Sequence, residues 1–177
     1  MRLSAQYLLM AAAMATSGVA FGQATTYDYF GNGFTQVTAP YTNSDAVQIQ
    51  LTLAGPLGFN LNDASETMTS FSFADGTQTI TGGTANSAFA QFSTDASGAI
   101  TGWFVDAKGP GSTEILSASL SFMADKGQIN SSQYGSTEGA PGEWRLANVS
   151  TVPEPATMLL LGLGVAGIGF VRRRKSA

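Results

Sequence analysis

Between residues 23 and 151 the chain places eleven carboxylates against three cations, Lys108, Lys126 and Arg145, and it contains no histidine and no cysteine. That inventory limits the chemistry available. Ser-His and Cys-His nucleophiles, imidazole zinc sites, thiolate metal sites and disulfides are all excluded. A pair of carboxylates can still hydrolyse a glycosidic bond at roughly 5–10 Å separation. No spacing in the sequence pairs two of them; Glu114, Glu138 and Glu143 are the least turn-like. Carboxylates also gather calcium, which needs about six to eight converging oxygens. The candidates are Asp63 and Glu66 near Asn60 and Asn62, together with Asp75, Asp95 and Asp125. The competing reading is that these aspartates stabilise turns through their own side chains. No EF-hand or nonapeptide calcium motif is present.

Two other groupings invite a binding role. Trp103, Trp144, Tyr27, Tyr29, Tyr41 and Tyr134 are the aromatics of a sugar-stacking platform, unless the core takes them. Thr77-x-Thr79-x-Thr81 is a regular hydroxyl row of the kind an ice-binding surface uses, although threonine favours any exposed strand face. Three cations against eleven carboxylates give this stretch a net charge of −8, which repels nucleic-acid phosphates and anionic lipid. No cofactor motif is present and none is expected. The chemistry reads as binding rather than catalysis, with a carbohydrate-active enzyme using two carboxylates as the alternative.

The elements that must hold these residues alternate with a period of two. Val47, Ile49, Leu51 and Leu53 share one face of a strand over 46–53, with polar residues opposite. Residues 69–73 and 77–81 flank Asp75-Gly76 as a hairpin. Asp95–Gly98 turns into a central strand over 99–105. In 115–123 the pattern puts Leu116, Ala118, Leu120 and Phe122 inward and Ser117, Ser119 and Ser121 outward. Edge strands are expected at 26–34 and 143–149, loops at 107–113 and 131–142, and a helical turn within 60–68. Seven or eight short strands predict an all-β fold, a single β-sandwich or jelly-roll-like domain over 23–150.

The two ends are of another kind. Met1-Arg2-Leu3, an alanine-rich apolar run over 7–15, and small residues Ala20 and Gly22 at the −3 and −1 positions read as a secretory signal peptide, residues 1–22. Gly22 and Ala24 would equally fit a cut two residues on. At the other end Val152-Pro153-Glu154-Pro155 precedes an apolar, glycine-rich run and then Arg172-Arg173-Arg174-Lys175. The uncharged stretch 158–171 would make a helix of about 21 Å, short of a hydrocarbon core of about 30 Å. Extended to 156–171, with snorkelling arginines, it is marginally able to span. The four cations would keep the C-terminus cytoplasmic. The prolines disfavour helix and central strand, so 152–155 should be an extended segment accessible outside the bilayer.

This order of motif, short helix and basic cluster resembles the PEP-CTERM sorting signal, here residues 151–177. The same tail also goes under the label of an ice-binding protein C-terminal domain, which names the tail and not an activity. The resemblance implies that an exosortase recognises Pro153-Glu154-Pro155 and removes the tail after export. The partners it implies are the secretion machinery and the exosortase, with the inner membrane as a passing station. It also implies a Gram-negative source and a destination at the cell surface or in a biofilm matrix, beside exopolysaccharide.

Overall fold

A computed structural model describes residues 23–120 and 123–147. Their fold is all-β, two antiparallel sheets stacked face to face, with no helix among the described residues. The first sheet contains β1 (Thr25–Phe30), β3 (Gln48–Leu53), β5 (Met68–Ala74), β6 (Thr79–Thr81) and β12 (Glu143–Leu146), in the order β12-β1-β3-β5-β6. The second is ordered β2-β11-β10-β9-β8-β7-β4. Its strands are β2 (Gln36–Val37), β4 (Ala64–Ser65), β7 (Ser87–Thr94), β8 (Ile100–Lys108), β9 (Glu114–Ala118), β10 (Ala124–Asn130) and β11 (Gln133–Glu138).

Alternation places the core between the sheets. β3 buries Ile49, Leu51 and Leu53, with Val47 just ahead, and turns Gln48 and Gln50 to solvent, as the period-two pattern requires. Phe73 and Ile80 continue that inner face across the Asp75-Gly76 hairpin, and Gly76 takes the positive φ that the turn needs. The second sheet answers with Phe92, Trp103, Val105, Ala107 and Ile115.

Several expectations are corrected. β1 is not an edge strand: it lies between β12 and β3, and β12 holds the edge. The facing of β9 is inverted. Ser117 is fully buried, opposite Val105, and its hydroxyl accepts the Trp103 indole N–H at 2.8 Å. Leu116 and Ala118 consequently lie on the other side of the sheet, beside Asp106 and Phe104. The inward face of β9 is thus Ile115 and Ser117, and Leu116 and Ala118 are buried all the same. The indole keeps a hydrogen bond whose loss inside a core costs about 1–3 kcal/mol. Strand β9 ends at Ala118; Ser121 and Phe122 fall outside the described residues. The stretch 131–142 holds strand β11 and is not wholly a loop, and 60–68 contains strand β4 and no helical turn.

Candidate functional site

Two aspartates are fully buried, and both meet the structure at β10. Asp125 comes from β10 itself, and its Oδ1 accepts the Tyr29 hydroxyl from β1 in the opposite sheet at 2.7 Å. That hydroxyl also accepts the Gly142 N–H, so one oxygen ties β1, β10 and the approach to β12. Asp125 Oδ2 makes no well-formed hydrogen bond. Burial pushes the Asp125 carboxyl above the ordinary aspartate range; Ser117, Tyr29 and the Gly142 and Asn32 amides offset this in part. Burial, reinforced by the Asp125 charge, also drives the Tyr29 phenol well above its usual value.

Asp75, at the end of β5, is fully satisfied. Its Oδ1 caps the Thr77 and Gln78 amides at 3.0 and 2.9 Å, and its Oδ2 accepts Tyr41 Oη at 2.7 Å and Gln78 Nε2 at 3.1 Å. Its carboxylate lies against Gly127 of β10, where a Cβ would overlap it. Gln78 Nε2 reaches on to the Gln128 carbonyl at 2.8 Å. Asp75 and Tyr41, like Asp125 and Tyr29, are buried.

The calcium candidates are consumed or scattered. Asp95 is exposed and closes its own turn, accepting Ser97 N, Ser97 Oγ and Ala99 N at 2.7, 2.7 and 3.0 Å. The Ser97 hydroxyl and the turn amides hold its carboxyl below the ordinary range. Asp63 accepts the Ser93 hydroxyl at 2.8 Å. Among the described residues no three carboxylates cluster as metal ligands. For Asp75 and Asp95 the structure supports the turn reading.

The proposed aromatic platform does not assemble. Tyr27, Tyr29, Tyr41 and Trp103 are buried, and half-buried Trp144 packs on Tyr29 and Phe92 at 5.1 and 5.4 Å between ring centroids. Tyr134 stands apart, half-buried on β11. The threonine row is broken too, since Thr77 belongs to the turn and only Thr79 and Thr81 lie in β6.

Of the three glutamates, Glu138 is exposed at the end of β11, and Glu143 pairs with Arg145 on β12. Glu114 sits in a chain of charges on the outer face of the second sheet: Lys126 at 3.1 Å, Lys108 at 3.3 Å, and Asp106 at 3.6 Å from Lys108. Burial disfavours the Glu114 charge, yet Lys126 and Lys108 outweigh it and hold the carboxyl below its usual range. Burial and the Glu114 charge push Asp106 the other way.

Two open grooves were not read from the sequence. One, of about 500 Å³, lies between Met68 and Phe71 of β5 and Ala88 and Phe89 of β7, with Glu66 at its margin. The other, of about 340 Å³, runs over the outer face of the first sheet, across Asp28, Phe30, Gln48, Gln50, Ser72 and Ala74. The signal for the second is the polar half of the alternation in β3, which puts Gln48 and Gln50 side by side on solvent.

The sorting residues Val152, Pro153, Glu154 and Pro155, the helix 156–171, the basic cluster Arg172–Lys175, and Ala20 and Gly22 of the leader lie outside the described residues. No curated protein and no solved structure matches the chain. A family model does match at the C-terminal end: residues 151–175 fit the PEP-CTERM protein-sorting motif. The chain therefore carries a PEP-CTERM sorting signal, which implies an exported protein that an exosortase processes.

Proposed function

We propose that the chain is a non-enzymatic surface or matrix protein, exported with its β-sandwich outside, trimmed at its tail, and working by contact with exopolysaccharide. The observation that carries this reading is the sorting signal attached to a domain whose buried carboxylates are spent on structure. Asp75 and Asp95 hold turns, Asp125 holds Tyr29, and Glu114 is held by two lysines. The signal and the acidic, polar surface support this destination. Intact-mass measurement on cells with an active exosortase tests the processing. Loss of the residues after Pro155 is the expected result, and a mass that retains 158–177 sinks it. Sugar binding without turnover is the expected outcome of glycan binding and hydrolysis assays.

A second reading draws on Asp106 and Glu114. Both carboxylates lie within 4 Å of the Lys108 ammonium, and their acidities are driven in opposite directions, as in an acid and base pair. Neither groove above is lined by them. Glycan hydrolysis abolished by Asp106→Asn or Glu114→Gln would install this reading in place of the first.

A further inference from the structure

We infer that the outer face of the five-stranded sheet is the binding face, and that its ligand is an uncharged, hydroxyl-rich polysaccharide chain. The inference rests on the glycan-contact reading above and gives it a location. Strand pairing aligns side chains in rows across this face: Asp28, Gln50 and Ser72 in one, Phe30, Gln48 and Ala74 in the next. Thr81 and Thr79 extend the two rows onto β6. Successive members of a row sit on adjacent strands about 4.8 Å apart, so hydroxyl and amide groups recur at near-regular intervals.

The hydrogen-bonding capacity of the face is largely unspent. Gln50 Nε2 gives one N–H to Asp28 Oδ1 at 2.9 Å, which leaves its carbonyl oxygen and second N–H for a ligand. Gln48 is exposed and its amide makes no side-chain hydrogen bond. An amide both donates and accepts, as a sugar hydroxyl does, whereas a charged ligand needs an opposite charge. Here the domain carries a net charge of −8, but the face holds only Asp28 and the mutually paired Glu143 and Arg145. A face whose net charge is only −1 favours a neutral partner and disfavours an anionic polymer.

Phe30 supplies the apolar component. It is 45% exposed and lines the 340 Å³ groove, and the Arg145 guanidinium lies over its ring at 5.2 Å. Sugar rings present C–H faces that stack on such a surface. A second protein copy would need a broad apolar patch, and Phe30 is the one large exposed apolar residue among the rows of this face.

The test uses the full chain in a polyoxyethylene-ether detergent, which has no sugar headgroup, run by native electrophoresis in gels containing a soluble polysaccharide. The neutral probes are hydroxyethyl cellulose, xyloglucan and galactomannan, and alginate is the anionic probe. Retardation by a neutral probe, with little by alginate, is expected. Gln50→Ala and Phe30→Ala should each weaken it about three- to tenfold, with unchanged melting temperature, while Phe89→Ala in the other groove leaves it intact. Retardation lost in Phe89→Ala but kept in the two face variants overturns the assignment and leaves the glycan reading standing. Retardation by alginate alone overturns the neutral ligand. A change of oligomeric state in Phe30→Ala, without change in retardation, makes the face a contact between copies. No retardation by any probe removes the site and the glycan reading together.

Discussion

Replacing Tyr29 and Tyr41 by phenylalanine separates two nodes that look alike. Each tyrosine donates to a fully buried aspartate at 2.7 Å. Tyr29→Phe removes the hydroxyl donor to Asp125, which then has no well-formed hydrogen bond on either oxygen, and strips the Gly142 N–H of its acceptor. A bond to a charged group contributes about 1.5–3 kcal/mol and a neutral one about 0.5–1.5 kcal/mol, so the change should cost about 2–4 kcal/mol. Tyr41→Phe removes one donor from Asp75, which keeps Gln78 Nε2 on the same oxygen and two amides on the other. Its cost should be about 1–2 kcal/mol. Urea denaturation of the full chain in nonionic detergent, followed by tryptophan fluorescence, measures both. The phenol bond favours the Asp125 charge, so the Tyr29→Phe penalty should shrink as the pH falls and the carboxyl takes up a proton. A Tyr29→Phe cost below about 1 kcal/mol, or below that of Tyr41→Phe, refutes the argument.

Other outcomes follow from the same geometry. Because the folded state raises the Asp125 pKa, that group weakens the fold at neutral pH and ceases to do so as the pH drops through its folded value toward about 3.9. Asp125→Asn should flatten this part of the stability-against-pH curve, and an unchanged slope counts against it. Glu114 behaves oppositely: its contribution is present above its unfolded value of about 4.3 and lost on acidification below it, and Lys126→Met should reduce that loss. Gly127→Ala, which drives a methyl into the Asp75 carboxylate, should cost about 1–3 kcal/mol in thermal or urea unfolding. Gly55→Ala meets no atom within 4 Å and should cost far less. Ser117→Ala should destabilise by about 1–3 kcal/mol through the orphaned Trp103 indole and blue-shift or quench its fluorescence differently from Ser119→Ala.

How much of this was legible depended on what each strand buries. β3 and the β5–β6 hairpin could be read because their inward residues are apolar and their outward ones polar. β10 and β11 could not. Their inward positions are Asp125 and Gly127, paired with Thr137 and Gly135, and a search for apolar alternation passes over them. Those positions are acceptable inside only because Tyr29 satisfies Asp125 and the Asp75 and Phe34 side chains fill the space over Gly127 and Gly135. None of that is local in sequence: Tyr29 and Asp125 are 96 residues apart. β9 failed for a related reason, since Ser117 faces inward for the sake of a partner on β8. The grooves were hidden because they are properties of two or three strands side by side, and only their single-strand component, the Gln48 and Gln50 alternation, is visible in the sequence.

The polar nodes at β10 also bear on how the two layers keep their alignment. Apolar contacts resist separation of stacked sheets but are tolerant of sliding, because one close-packed position trades for another at small loss. A hydrogen bond has a fixed length and direction. The Tyr29–Asp125 bond and the Gln78 bond to the Gln128 carbonyl both cross between layers and both end on β10, at positions three residues apart. They act as two dowels: one would prevent sliding and still permit rotation about itself, and the second removes the rotation. In a domain without a single disulfide, the stacking angle is thereby set by side-chain geometry.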